Sequence, residues 1–300
     1  MQQYLEHWLE NIVLDRVRPS TYHSYRNQAR LYLIPLLGRI KLAKLTARDI
    51  KKALALLKIK CRCCMSGLDL KRKRQADTER EKRQGKKIRK NAKRIDEAKC
   101  CAAKPQACCQ KLLSDATIRY LHRILRTALQ DAVIDGILVQ NVAKELRLAH
   151  KYSPQFEPWN SVEVMQFLDV NKDHRLVALF GIVLAVGLRK GEALALRWSD
   201  VNIDTGVLHI ERTLNRVDGK LRVGPVKTEQ SNRVVSLPEL FLWALNDHRT
   251  NQNEERAAAE DKWQDHSLMF TTKKGTAIEP RNLNRLLDIL CAKAGVRRIR

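Results

Sequence analysis

Apolar residues recur at three- and four-residue steps over much of this chain, which predicts a mainly helical protein. Tyr22, Tyr25, Ala29 and Leu33 mark one helical face, with Ser20, after Pro19, as the expected N-cap. Thr46 and Asp49 form a variant capping box ahead of Ile50, Ala53, Leu54 and Leu57. Pro35–Gly38 reads as the turn between these two helices. Ile118, Leu121, Leu125, Leu129 and Val133 predict a further helix that starts at Ser114 and stops at Gly136.

A change of pattern follows Trp159. Val162, Met165, Phe167 and Leu168 predict a helix from Ser161, and Leu176–Val186 is apolar on nearly every side, as a core helix is. The period then shortens. Val207–Ile210, Leu221–Val223 and Val234–Leu237 read as strands, with Asp218-Gly219 as a tight turn. Helices return at Leu240–Arg249 and Arg281–Ala294. The fold class expected is mostly α with a small antiparallel β-sheet. It divides into a helical domain over 1–150 and an α+β domain over 151–300, with Tyr152–Trp159 as the linker.

Residues 58–111 interrupt the first domain with charge but almost no apolar periodicity, and read as an insertion, either solvated helix or disordered arm. They carry 19 Lys/Arg against 6 Asp/Glu, a net of +13 out of +24 for the whole chain. A charge of that size predicts a polyanionic partner, nucleic acid before an acidic membrane surface. With 44% apolar residues the chain has enough to build real cores. No apolar run approaches the roughly 18 residues of a membrane span, so a cytoplasmic, nucleoid-associated protein is expected. The same window holds seven of the eight cysteines. Cys61, Cys64, Cys100 and Cys109 could hold a structural zinc ion at the base of the basic arm; reduced, metal-free thiols are the alternative. Cys291 reads as a core residue.

The most informative stretch is Gly187-Leu-Arg-Lys-Gly-Glu-Ala-Leu-Ala-Leu-Arg-Trp-Ser-Asp200. Arg189 follows the apolar helix and is expected to be part-buried, a position that costs several kcal/mol unless an anion meets it. Its planar fork suits a phosphate. Glu192, three residues on, would orient it, and Asp200 would turn or cap the chain. Downstream, Val223-Gly-Pro-Val-Lys-Thr-Glu-Gln-Ser-Asn-Arg-Val-Val-Ser-Leu-Pro238 places Lys227 between strand-like runs. Thr228, Ser231 and Arg233, and Lys71, Arg72, Lys73 and Arg74 in the insertion, are candidate contacts to a nucleic-acid backbone.

Both stretches resemble the tyrosine recombinases, the phage-type integrases. The first is similar to that family's leading arginine box, and the second to its β-hairpin with a lysine at the tip. The resemblance covers about 5–300 apart from the insertion and is most specific over 187–238. It implies a helical core-binding domain and the N-terminal part of a catalytic domain, clamping duplex DNA at attachment-type sites. It further implies recombinase protomers as partners in a tetramer on DNA. Arg189 would clamp the scissile phosphate and Lys227 would protonate the departing 5′ oxygen. No cofactor is implied for catalysis, because a phosphotyrosine ester keeps the bond energy.

The family's later elements, an H-x-x-R box and a nucleophilic tyrosine, have no counterpart at the expected places. His209-Ile-Glu-Arg212 lies on an expected strand, where positions i and i+3 face opposite ways, and His23-Ser-Tyr-Arg26 precedes every other motif. All six tyrosines (4, 22, 25, 32, 120 and 152) precede Arg189, and Gly295–Arg300 resembles the approach to the missing box. The expectation is therefore a recombinase whose catalytic set is incomplete in this chain. Its alternative is a non-catalytic DNA-binding protein or regulator that keeps the clamp; an unrelated basic regulator with a metal-pinned arm is the third reading.

Overall fold

The computed structural model describes residues 1–61, 112–146, 148 and 157–299. The expected basic and cysteine-rich insertion, including Lys71, Arg72, Lys73, Arg74, Cys64, Cys100 and Cys109, falls outside them. The chain divides into two compact units, Met1–Ser153 and Pro154–Arg300, each with its own core.

The first unit is helical: α1 (Gln2–His7), α2 (Leu14–Arg16), α3 (Pro19–Gln28), α4 (Ile34–Leu37), α5 (Ala47–Ile59) and α6 (Asp115–Ile134). α5 carries the expected reciprocal cap between Thr46 and Asp49, and buries Ile50, Ala53, Leu54 and Leu57. Ser114 caps α6, and Gly136 adopts the left-handed conformation after it. Two expectations fail. Pro19, not Ser20, opens α3, with Arg18 as N-cap, because a proline at the first helical position loses no hydrogen bond. Pro35 lies in α4, not in a turn. A π-helical stretch, Ala29–Leu33, precedes it, closed by the Ile34 N–H on Ala29 O. That wider turn relieves the clash a proline makes with the carbonyl four residues back, so the helix crosses Pro35.

The second unit contains α7 (Ser161–Val170), α8 (Val177–Val186), α9 (Lys190–Ala193), five strands, α10 (Glu239–Ala259) and α11 (Pro280–Ala294). β1 (Val201–Asn202), β2 (Val207–Ile210) and β5 (Arg233–Ser236) form an antiparallel sheet in the order β1-β2-β5. β3 (Arg212–Val217) and β4 (Lys220–Pro225) form a hairpin turned at Asp218-Gly219, both at positive φ. Phe167, Leu179, Ile182, Leu208, Ile210, Leu214, Leu245 and Phe270 are among the core residues. α7 buries Phe167 alone; Val162 and Met165 stay 70% and 65% exposed, against their expected place on the core face. Trp159 belongs to this core and not to a linker, packed on Phe167 with its indole N–H donating to Arg297 O at 2.8 Å. Among the described residues, no helix is long and apolar enough to cross a membrane.

α10 runs ten residues past its expected end at Arg249. Polar side chains hold the extension. Gln252 donates to Leu268 O and Thr271 Oγ1 and accepts from the Trp198 indole, while Glu255 pairs with Arg175 at 2.5 Å. Next to them His248 is buried between two carbonyls, Nδ1 3.1 Å from Arg175 O and Nε2 2.8 Å from Met269 O. Burial lowers its pKa below the ordinary 6.5 and outweighs the carbonyls' pull on a second proton. Burial, then Arg175 and Lys293, lower that of His174 likewise. Both groups fold as neutral rings, so their contribution is complete above pH 6.5 and is lost as pH falls below it toward the lowered values. The urea midpoint of the second unit should therefore drop between pH 7.5 and pH 5. A His248→Gln variant should lose part of that slope; an unchanged slope would show that His248 titrates normally.

Candidate active site

The apolar helix α8 ends at Gly187 in the left-handed conformation, which a glycine adopts without strain. Leu188 then turns into the core, and Arg189 becomes the N-cap of the short helix α9. α9 lies against β3 at Gly191. A Cβ built there would stand 2.5 Å from Thr213 Oγ1 and 2.9 Å from Leu214 O, so only glycine allows this approach. The pattern of apolar residues gave no sign of this contact. The one signal available was a glycine placed where a helix begins.

The buried charge here is Glu192, not Arg189. The Glu192 side chain is 3% exposed, whereas Arg189 is 68% exposed, reversing the expectation of a part-buried arginine. The reason lies in α9's first turn. Glu192 reaches back to accept the Arg189 N–H at 3.0 Å through Oε2 and Arg189 Nη1 at 2.8 Å through Oε1. Arg233, 26% exposed, adds a third bond from Nη2 to Oε2 at 3.1 Å. Burial alone would raise the Glu192 pKa, but the bonds from Arg189 and Arg233 hold it below the ordinary 4.5. The carboxylate thus stays ionised and fixes the base of the Arg189 guanidinium. Glu192 holds Arg189 by two hydrogen bonds.

The returning chain carries the remaining candidates. β4 pairs with β3 as far as Pro225 opposite Arg212, and β5 pairs with β2 from Arg233 opposite Ile210. Residues 226–232 therefore loop out opposite Glu211 alone, with the Val226 N–H bonded to Glu211 O. Lys227 stands exposed in this excursion. It is not at the tip of a hairpin, which is Asp218-Gly219, because the strands flanking it pair with two successive strands, β3 and β2, that are separated by Glu211. Among the described residues, no carboxylate pairs with Lys227.

Three candidate backbone contacts are sorted by their surroundings. Ser231 is buried, accepting from Arg189 Nη1 at 3.2 Å and lying 2.9 Å from Thr228 Oγ1. Arg233 faces inward onto Glu192 and Ser231 O. Thr228 remains exposed. Ser231 and Arg233 therefore tie the excursion to Arg189, and only Thr228 and Lys227 present themselves outward.

Asp200 turns the chain as expected, accepting the Arg197 N–H at 2.9 Å, and also pairs with Arg212. His209 is exposed on β2 while Arg212 is held by Asp200, so the two do not converge. Cys61 and Cys291 are buried.

Comparison with known proteins gives a consistent set of likenesses. Residues 1–57 match the family model described as "Phage integrase, N-terminal SAM-like domain", and residues 157–300 match "Phage integrase family". A "Tyrosine recombinase XerC-like" protein of Caldanaerobacter subterraneus subsp. tengcongensis is 28% identical over 201 residues, covering 61% of this chain and 51% of the relative. The chain spans about half the length of the curated relatives it matches. Among solved structures, the Tn1549 transposon integrase in complex with a circular intermediate DNA superposes with TM-score 0.66 at 15% identity, covering 97% of this chain and 77% of that one. A lambda integrase tetramer bound to a Holliday junction gives 0.55 at 12%, covering 99% and 67%. At those identities the two structures speak for the fold alone.

Proposed function

Because this chain belongs to the phage integrase family of tyrosine recombinases, we propose that it is a site-specific DNA recombination protein whose second unit grips a backbone phosphate between Arg189 and Lys227. The observation that carries this reading is the Arg189–Glu192–Arg233 cluster joined to the excursion that bears Lys227. Among the described residues, every hydrogen bond of the Arg189 guanidinium runs through Nη1, so Nε–H and Nη2–H remain for non-bridging phosphate oxygens. Lys227 is placed to protonate a 5′ oxygen once a nucleophile has formed the new bond to phosphorus, a group that no tyrosine between Arg189 and Arg300 supplies, and Thr228 would add a hydroxyl contact to the backbone.

In this reading the partner is double-stranded DNA at attachment-type sites, and protomers assemble as the lambda integrase does on its Holliday junction. The protein acts in the cytoplasm, on the nucleoid. Strand transfer needs no cofactor, while Lys71, Arg72, Lys73 and Arg74 add sequence-independent phosphate contacts. Cys61, Cys64, Cys100 and Cys109 remain a proposed structural zinc site, which metal analysis of the purified protein would test. A second reading, a DNA-binding regulator that keeps the clamp without strand transfer, predicts the same complex and is excluded by a denaturant-stable protein–DNA band.

That experiment presents the 300-residue polypeptide with a nicked duplex. Native gels should show a complex that Arg189→Ala weakens by about tenfold. Deleting 66–98 should flatten the slope of log affinity against log salt. Denaturing gels should show no stable protein–DNA band, since no tyrosine lies between Arg189 and Arg300. Binding that ignores Arg189→Ala would sink the phosphate clamp, and a denaturant-stable band would exclude the regulator.

A further inference from the structure

Two guanidinium groups share one buried carboxylate in this site. Glu192 Oε1 takes the Arg189 side chain at 2.8 Å, and Oε2 takes the Arg189 N–H at 3.0 Å and Arg233 at 3.1 Å. The three side chains sum to one positive charge. With Arg189 as its only partner, Glu192 would form a neutral pair, and an arriving phosphate would compete with the carboxylate for the same guanidinium. Arg233 changes that balance. It lies inward, 26% exposed, with Nη1 on Ser231 O and Nη2 on Glu192, while Arg189 is 68% exposed.

We propose that Arg233 is a positioning residue, the permanent counter-ion of Glu192, which leaves Arg189 its charge and its outward edge for a phosphate. The inference rests on Arg189 being a phosphate clamp and extends it to a residue that touches no phosphate. Arg233 also anchors the excursion through Ser231, so one side chain sets both the net charge of the cluster around Arg189 and the seat of the Lys227 segment.

The test uses the 300-residue chain and a random-sequence duplex at fixed salt. Arg233→Gln removes the charge, and its amide also stops two bonds short of the Nη atoms that reach Ser231 O and Glu192, so the charge effect is read from the rescue by Glu192→Gln. Its affinity should fall on the order of tenfold, equivalent to about 1.4 kcal/mol. Adding Glu192→Gln to Arg233→Gln should restore most of the loss, because the carboxylate no longer needs a counter-ion. Asp261→Asn in the same background changes net charge equally and should restore less, since Asp261 lies outside this network. Arg233→Lys, which keeps the charge but not the fork that reaches both Glu192 and Ser231 O, should lose less affinity than Arg233→Gln. Thermal melts of each variant show that it is folded.

Wild-type affinity in Arg233→Gln, or no recovery from Glu192→Gln, would overturn the inference while leaving the clamp intact. Recovery from Asp261→Asn equal to that from Glu192→Gln would overturn it too. Indifference of binding to Arg189→Ala would remove the clamp itself, and the inference with it.

Discussion

Replacing Gly191 with valine should destabilise the second unit by about 2–3 kcal/mol and remove the contribution of Arg189 to DNA binding. The first carbon of any side chain meets Thr213 Oγ1 at 2.5 Å and Leu214 O at 2.9 Å. Rotating the threonine can relieve the first clash, but the second is with backbone. α9 must therefore lift off β3, carrying Arg189 and Glu192 with it. Gly224→Ala is the matched control, because nothing stands within 4 Å of a Cβ there; it should stay within about 0.5 kcal/mol of the parent. Urea midpoints for the two variants, with duplex affinity on the same samples, make the comparison. Equal midpoints would mean that α9 does not depend on this close approach.

In the first unit, Trp8→Ala should cost about 3–5 kcal/mol, the range for emptying the site of a fully buried aromatic ring. Trp8 is 0% exposed, stacks on Tyr25 with ring centroids 5.9 Å apart, and donates its indole N–H to Asp131 Oδ2 at 2.6 Å. Asp131 also receives two bonds from Arg16, at 3.0 and 2.6 Å. Burial works to raise the Asp131 pKa, and the bonds from Arg16 and Trp8 overcome it and hold it below the ordinary carboxylate value. Trp8→Phe separates the two contributions. It refills most of the volume and leaves the carboxylate one donor short, so it should cost about 1–3 kcal/mol. A loss below about 1 kcal/mol for Trp8→Ala would show that this corner repacks freely.

Legibility in the sequence followed the kind of force involved. Helices held by apolar stripes were readable: the cap and buried face of α5, and Ile118, Leu121, Leu125 and Leu129 of α6, came from spacing alone. The second half of α10 was not, because Gln252 and Glu255 hold it through polar bonds that leave no apolar period. β3 was missed because Arg212–Val217 has only Leu214 and Val217 as buried apolar positions, too few to show alternation. In the site, chemistry marked Arg189, Glu192 and Lys227. Which charge was buried depended on α9's first turn and on Arg233, which stands 41 residues further along. Nothing local to Arg189 announces that partner. Val162 and Met165 show the reverse error, apolar residues on a helix of which only Phe167 is buried.

The looped-out segment 226–232 has a consequence for how much variation the site tolerates. Its two ends, Pro225 and Arg233, are pinned opposite Arg212 at the start of β3 and Ile210 at the end of β2, with only Glu211 between those two positions. The distance the segment must span is set by those two anchor positions and not by its own length. Added residues would cost only the slow logarithmic entropy of a longer closed loop, and neither sheet would shift register. The exposed part of the lysine-bearing segment can therefore change in length while the scaffold beneath it stays the same, with Val226 and Ser231 keeping their buried places.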